Sequence, residues 1–237
     1  MAASRVSPGD PGLERELRRT LEGEVLFDRF TRGLYSTDAS HYQIEPLGVV
    51  FPKTTEDVEA VLTVARGRGI PVLPRGAGTS QCGQSIGRAI ILDTHRHLDG
   101  IGPLQGSQDA PEIEVAPGVV LDHLNAHLAP HGLWFPVDPS TGSRATLGGM
   151  AGNNSAGARS IQYGMMVDNV AALEVVLPDG RRTWVGEGAS EGSALPGELA
   201  ALRALYSREA DEIVRRTPRT MRNVAGYNLD RLAPERE

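Results

Sequence analysis

Cysteine is almost absent: Cys82 is the single one in 237 residues. That excludes an internal disulfide and an iron–sulfur cluster held by this chain's own thiolates. No apolar stretch approaches the roughly 20 residues that a membrane span requires. The opening MAASRVSPGD lacks the apolar run of a signal peptide, so the cytoplasm is the expected location. Positive charge is outweighed, with 24 Lys and Arg against 30 Asp and Glu for a net charge of −6. Neither nucleic acid nor an anionic membrane surface is therefore indicated as a partner. Gly-Lys-Ser/Thr occurs nowhere, which removes the P-loop nucleotide site. What is present is an ordinary soluble composition, 40% hydrophobic and 23% charged, long enough for one large domain or two small ones with a real core.

Periodicity organises the chain. Leu13, Leu17, Leu21 and Val25 recur every four residues, an amphipathic helix signal. GVVFP (48–52) reads as a strand, and Thr54 with Asp57 reads as a shortened capping box. Val58, Val61, Leu62 and Ala65 form the buried stripe of the helix that follows, stopped at Gly67 or Gly69. PVL (71–73) and AIILD (89–93) are strand-like. EIEVAPG (112–118) opens a second unit, followed by a helix from about Val119 to Leu128 with Gly132 beyond its end. Residues 170–185 alternate and turn at Asp179-Gly180, a hairpin signal, and 195–215 read as helix. Strands and helices mix without strict alternation, which predicts an α+β fold of two subdomains.

The informative stretches are two glycine-rich loops, PRGAGTSQCGQS (74–85) and DPSTGSRATLGGMAGNNSAG (138–157). Each is expected to offer bare main-chain N–H groups to an anion, and together they fit the two ends of a dinucleotide. Burying a diphosphate unaided costs several kcal/mol per charge. Each hydrogen bond to a charged group returns about 1.5–3 kcal/mol. Glycine suits such nests because it allows close approach and positive φ. Gly76, Gly78 and Gly83 fill that role in the first loop and Gly148, Gly149 and Gly152 in the second, with hydroxyls from Thr79, Ser80, Ser85, Ser140 and Thr146. The dinucleotide fingerprint G-x-G-x-x-G fails, because Gln81 stands at its last position and the loop leads to a strand. Gly83-Gln84-Ser85-Ile86-Gly87 matches a hydrolase nucleophile elbow, but a strand follows where that elbow needs a helix.

On these loops the chain resembles the flavoprotein family of vanillyl-alcohol oxidase and p-cresol methylhydroxylase, in its D-2-hydroxyacid dehydrogenase branch. PRGAGTS is similar to that branch's first pyrophosphate loop and DPS…ATLGGMAGNNSAG to its second. Tyr163-Gly164 with DNVAALEVVLPDG (168–180) is similar to the strand pair about the adenine half. YSTDASHYQIEPLGVVFP (35–52) and RNVAGYNLDRL (222–232) resemble flanking segments of long members fused to a C-terminal iron–sulfur region.

The resemblance implies a p-cresol methylhydroxylase-type FAD-binding fold, C-terminally truncated: residues 1–34 a mobile segment and helix, 35–110 FAD-binding subdomain 1, and 111–237 an incomplete subdomain 2 without the cap domain. It places Pro74, Arg75, Gly76, Ala77, Gly78, Thr79, Ser80, Gln84 and Ser85 at pyrophosphate and ribitol, with Arg75 lending charge near the phosphates. Pro139, Ser140, Thr146, Gly149, Gly152 and Asn153 fall on the flavin side, and Ala156, Gly157, Tyr163 and Val170 along the second subdomain's share. Some relatives attach flavin through a histidine in the first loop; residues 76–80 contain none, so FAD is expected to be non-covalent. The implied chemistry is hydride removal from a small 2-hydroxy acid onto FAD. The alternative is a flavin-binding fragment without turnover, and a sister oxidoreductase acting on a sugar or ether-lipid precursor stays open.

No residue is assigned a catalytic role. His123, His127 and His131 fall at helical spacing, but a polar helix face explains them better than a metal site. His95 and His97, after a strand and before a turn, read as surface residues, and His41 has no evident partner. Tyr227 and Asn228 are equally explained by packing and by proximity to an active site.

Overall fold

The computed structural model describes residues 6–186, 195–220 and 227–233. The first five residues of the expected mobile segment, residues 222–226 of RNVAGYNLDRL and the closing Pro-Glu-Arg-Glu lie outside the described residues.

Helix α1 (Pro11–Thr20) begins where the Asp10 carboxylate accepts the Leu13 N–H at 2.7 Å, with Pro11 in the first turn. It buries Leu13 and Leu17 completely. The four-residue repeat does not continue: the helix stops at Thr20, and Val25 belongs to strand β1 (Glu24–Leu26). The cause is tertiary. Asp57 accepts the Glu22 N–H, and Gly23 passes so close to β2 that a Cβ there would lie 2.3 Å from the Phe51 carbonyl oxygen. The chain is thereby drawn onto the sheet edge.

Helix α2 (Arg29–Leu34) is followed by β2 (Gly48–Phe51), α3 (Thr55–Arg68), β3 (Val72–Arg75) and β4 (Ile90–Asp93). Their sheet runs β1-β2-β4-β3, with β1 antiparallel to β2 and the other pairs parallel. Alternate residues serve opposite faces. Val50, Ile90 and Leu92 pack with Leu13, Leu17, Val61 and Ala65 of the helices, whereas Val49, Phe51 and Ile91 meet Leu26 and Tyr35. Burial on both faces explains why GVVF and IIL read as continuous apolar runs. Because β4 lies between β2 and β3, the first glycine loop leaves the carboxyl end of β3, the edge where open sheets bind ligands.

Thr54 caps α3 by accepting the Asp57 N–H at 3.2 Å, and Gly69 ends it with φ +64°. The capping box itself does not form. The Asp57 carboxylate, 3% exposed, instead accepts the N–H groups of Lys53 and Glu22, both at 2.8 Å. Val64 takes the buried position in the stripe expected for Leu62.

Strands β5 (Ile101–Gly106) and β6 (Pro111–Val115) form an antiparallel pair. β5 was not apparent from sequence and lies ahead of the expected boundary at 110/111. Its Ile101 and Leu104 pack on a second core of Val119, Leu124, Leu128, Val137, Leu147 and Met150. Helix α4 (Leu121–Leu128) passes into a 3₁₀ turn at Ala129–His131, so the spacing of His123, His127 and His131 is broken before the third histidine. Helices α5 (Leu147–Gly152), α6 (Ser160–Tyr163) and α7 (Met166–Asn169) precede the hairpin β7 (Ala172–Val176) and β8 (Arg182–Gly186). That hairpin turns through Gly180 at φ +88°. Helix α8 (Pro196–Arg216) and a 3₁₀ turn at Leu229–Leu232 complete the described residues.

The β7–β8 hairpin is tied at the surface to α3, which packs on the first core. Arg182 of β8 reaches Glu56 at 2.9 Å and Glu59 at 3.0 Å on α3, and Arg66 donates to the Asp179 carbonyl oxygen. Exposed pairs of this kind orient the hairpin more than they stabilise it. Among the described residues, no helix is long and apolar enough to cross a membrane.

Asp57→Ala leaves the amides of Glu22 and Lys53 without their acceptor. A destabilisation of about 2 kcal/mol is expected, read as a lower urea midpoint with an unchanged slope.

Candidate FAD site

The two glycine loops meet. A Cβ on Gly76 would lie 2.1 Å from Thr146 Oγ1, so the first loop is pressed against the start of the second. Gly76 is required by that approach and not by its backbone, since positive φ in the first loop occurs at Gly78 (+66°) and Gly83 (+78°). Thr146 is 1% exposed and caps α5, its hydroxyl oxygen accepting the Gly149 N–H at 3.3 Å.

Among the described residues, none of the main-chain N–H groups from Gly76 through Gln81 donates to a protein acceptor. Gly76, Gly78, Thr79 and Ser80 are half-buried. A half-buried run of unpaired amides, turned by a left-handed glycine, is an arrangement that accepts an anion. The cluster fits the diphosphate of a dinucleotide on donor chemistry alone.

Arg75 holds this run in shape. Its guanidinium donates to the carbonyl oxygens of Thr37 at 2.9 Å, Ser85 at 3.2 Å and Tyr35 at 3.4 Å, and it stacks 4.9 Å from the Tyr35 ring centroid. Expected to lend charge near the phosphates, it stands as a brace under Gly78, where a Cβ would lie 2.4 Å from its Nη2. Burial lowers its pKa from the usual arginine value. The Tyr35 hydroxyl donates to Asp93 Oδ2 at 2.6 Å, and burial followed by that bond raises the phenol's pKa well above the ordinary tyrosine range.

Residues 36–44 lie across the same loop. Ala39 N–H donates to the Gly78 carbonyl at 3.2 Å, and Ser85 Oγ donates to Asp38 Oδ2 at 2.9 Å. Tyr42 packs where a Gly83 Cβ would stand, 2.8 Å from its ring. Ser85 is thus a buried anchor ahead of β4, with no histidine in the bonds it makes. Gln84 Oε1 accepts the Cys82 N–H at 3.2 Å, closing the loop's far turn. Pro74 is exposed at the end of β3, opposite Leu92.

The second loop departs from the expected cradle. Residues 147–152 are helical, and the first amides of α5 are already satisfied: Leu147 donates to the Val119 carbonyl, Gly148 to that of Pro117 and Gly149 to Thr146. Its glycines are not a positive-φ nest. Gly148 is needed because a Cβ would lie 2.5 Å from Pro117 Cβ, while Gly152 has nothing within 4 Å. Helical bonding won because residues 117–120 present carbonyls to these amides, a long-range match that the glycine spacing cannot reveal.

Pro139 and Ser140 sit in a turn closed by Gly142 N–H to the Pro139 carbonyl at 3.1 Å. Asn153 ends α5 and donates to Ser155 Oγ at 3.4 Å. Half-buried Ala156 follows, and Gly157 lies against Asp138, whose carbonyl oxygen would be 2.1 Å from a Cβ. Tyr163 meets the Trp134 ring edge-on at 5.2 Å, with the Arg159 guanidinium 4.7 Å from the Trp134 centroid. Val170 packs on the second core after α7. Tyr35, Asp38 and Asp93 were not singled out from sequence. Their partners lie 58 and 47 residues away in the chain, beyond any local pattern.

Residues 46–186 match the FAD binding domain family. The chain belongs to that family. Its cofactor is FAD. Among curated relatives, it is 35% identical over 224 residues to the D-2-hydroxyglutarate dehydrogenase of Pseudomonas putida, covering 90% of this chain and 22% of that protein. It is 31% identical to the glycolate oxidase subunit GlcD of Bacillus subtilis, over 90% of this chain and 39% of that one. The chain therefore spans a minor part of the relatives it matches. Among solved structures, alkyldihydroxyacetonephosphate synthase superposes with a TM-score of 0.65 at 22% identity, over 77% of this chain and 36% of that one. The 6-hydroxy-D-nicotine oxidase of Arthrobacter nicotinovorans superposes with 0.61 at 18% identity, over 72% and 37%. The fold is the mixed helix-and-sheet FAD-binding fold of the p-cresol methylhydroxylase type.

Gly76→Ala forces the loops apart. FAD affinity is expected to fall roughly tenfold, the worth of one hydrogen bond to a charged group, by titration calorimetry. Adding Thr146→Ala removes the oxygen that the new methyl strikes and is expected to recover part of the loss. Wild-type affinity in the single variant contradicts the closed junction.

Proposed function

We propose that this chain is the FAD-holding part of a flavin-dependent oxidoreductase acting on a small 2-hydroxy acid, in the cytoplasm, with FAD bound non-covalently. The observation that carries the reading is the run of unpaired amides from Gly76 to Gln81, closed at one end by Thr146. Likeness to a D-2-hydroxyglutarate dehydrogenase and to a glycolate oxidase subunit, both named for 2-hydroxy acids, supports the substrate class.

Bound FAD supplies an electron-accepting ring able to take a hydride from carbon. The work of this chain is to hold it. Main-chain amides of Gly76, Ala77, Gly78, Thr79 and Ser80 face the diphosphate, joined by the Thr79 and Ser80 hydroxyls. Gln84 and Ser85 keep the loop's return in place, and Arg75 with Pro74 fixes its departure from β3. On the second subdomain Pro139, Ser140, Thr146, Gly149, Gly152 and Asn153 border the flavin side. Ala156, Gly157, Tyr163 and Val170 continue that wall. Two subdomains divide the task, residues 35–110 with the diphosphate loop and residues 111–237 with the second hoop. No proton acceptor for the hydroxy acid is assigned. His97 is occupied by Glu24 at 2.8 Å on β1, and His123, His127 and His131 are exposed.

The purified chain is expected to be yellow and to release its flavin on acid precipitation, the mark of non-covalent binding. Gly78→Asp places a carboxylate inside the anion cradle at a positive-φ position and is expected to yield colourless protein of normal fold. Flavin content equal to wild type in that variant refutes the loop assignment. Anaerobic bleaching of the flavin by D-2-hydroxyglutarate, D-lactate or glycolate tests the substrate class. No bleaching by any of the three favours a flavin-binding fragment without turnover.

A further inference from the structure

Gly118 belongs to neither glycine-rich loop, and it is buried in the turn between β6 and α4. A Cβ there would lie 2.2 Å from the Thr94 carbonyl oxygen and 2.6 Å from that of Leu98. Its N–H donates to the Leu98 carbonyl at 2.7 Å, so the turn that follows β4 is held against it. The need is for proximity, because Gly118 is not among the glycines with positive φ. Both obstacles are main-chain oxygens. Relief therefore requires the backbone itself to move, and close-packed interiors pass such shifts on.

These contacts close a circuit that contains the junction of the two loops. The Arg75 carbonyl accepts the Thr94 N–H at 3.2 Å, and Gly76 follows Arg75 in the chain. Thr94 abuts Gly118. Pro117, the residue before it, accepts the Gly148 N–H at 2.9 Å, and a Cβ on Gly148 would lie 2.5 Å from Pro117 Cβ. Gly148 is in the first turn of α5, whose cap is Thr146. Thr146 returns to Gly76, where a Cβ would lie 2.1 Å from its Oγ1. Val119 and Val120 run alongside, the first accepting the Leu147 N–H at 2.8 Å and the second bridging to Thr146. Glycines stand at the three points where side chains would hold this circuit open, and the links between them are main-chain hydrogen bonds or the chain itself.

We propose that Gly118 is a positioning residue for the FAD site, fixing through Pro117 and α5 where Thr146 meets Gly76. The proposal rests on the FAD reading above and extends it to a residue outside both loops. A methyl group at position 118 displaces the 94–98 turn from residues 117–120. Those residues carry the acceptors of Leu147 and Gly148, so α5 and its cap move with them. The wall against which the Gly76–Gln81 run is seated then shifts. Amides converging on one diphosphate tolerate little displacement, because a hydrogen bond weakens steeply as its angle leaves the optimum. Contiguous packing couples two sites when both bias one arrangement. Here that arrangement is the seating of the first loop on the start of α5.

The test titrates FAD calorimetrically into the full chain and its variants, with melting curves taken without ligand. Gly118→Ala is expected to bind FAD roughly tenfold more weakly, as for one lost hydrogen bond to a charged group. Gly76→Ala opens the same circuit, so the double variant is expected to lose little more than either single one. A loss of about a hundredfold, the product for two independent sites, overturns the proposal. Gly106→Ala controls for general loosening: its Cβ would lie 2.3 Å from the Ala110 carbonyl oxygen in the β5–β6 hairpin, outside the circuit. Its FAD affinity is expected to match wild type, and a loss as large as at Gly118 overturns the proposal. Should Gly118→Ala fail to fold, Gly148→Ala carries the test, since the nearest atom its methyl strikes belongs to a side chain. A comparable loss is expected, partly recovered when Pro117→Gly removes that atom; wild-type affinity or no recovery overturns the proposal. Wild-type affinity in Gly118→Ala overturns it and leaves the FAD reading standing, whereas failure of the wild-type chain to bind FAD overturns that reading and this one with it.

Discussion

The approach of Gly76 to Thr146 is the constraint on which the rest of this structure depends. It joins a loop leaving a mostly parallel sheet to a helix cap on a separate core, with space between them for no more than a hydrogen atom. A side chain at position 76 would part the loops. The glycine is selected by distance, not by φ, and the threonine is used twice, as a wall for the first loop and as the cap of α5.

Holding a row of amides unpaired is costly unless the backbone has no alternative. Here the alternatives are removed from behind. Arg75 takes up carbonyl oxygens on both sides of the loop, Ser85 is tied to Asp38, and Ala39 binds the Gly78 carbonyl. The Gly78 carbonyl is thereby occupied, and the N–H groups from Gly76 to Gln81 are left without a protein acceptor among the described residues. Tyr35 and Asp93 complete the support, locked to each other beneath the guanidinium. The charge of Arg75 thus acts on the shape of the loop.

The two loops, alike in glycine richness, are built differently. The first is an open run with left-handed turns at Gly78 and Gly83. The second is a short helix whose amides are consumed by Val119, Pro117 and Thr146, and whose glycines allow α5 to lie against residue 117. Asn154, just past that helix, carries the strain and the unpaired donor that glycine spacing suggested would fall on Gly148, Gly149 or Gly152.

Local chemistry was legible in the sequence. Runs such as GVVF and IILD, the Thr54 cap, the Gly69 and Gly132 stops and the turn at Gly180 each act within a few residues, and each is found where spacing placed it. The glycine loops and the order of their flanking motifs were likewise sufficient for the family and its cofactor. Other features were settled by contacts across the fold. Val25 left its helical repeat because Asp57 and Phe51 hold the preceding turn, and β5 formed because β6 and the second core offered it a partner. Arg75 became a brace because three carbonyls converge on it. Amino-acid order determines which groups can turn, cap or donate, since those are short-range properties of the backbone. Which donors stay unpaired depends on what the rest of the chain brings within hydrogen-bond distance, and that is a property of the folded molecule alone.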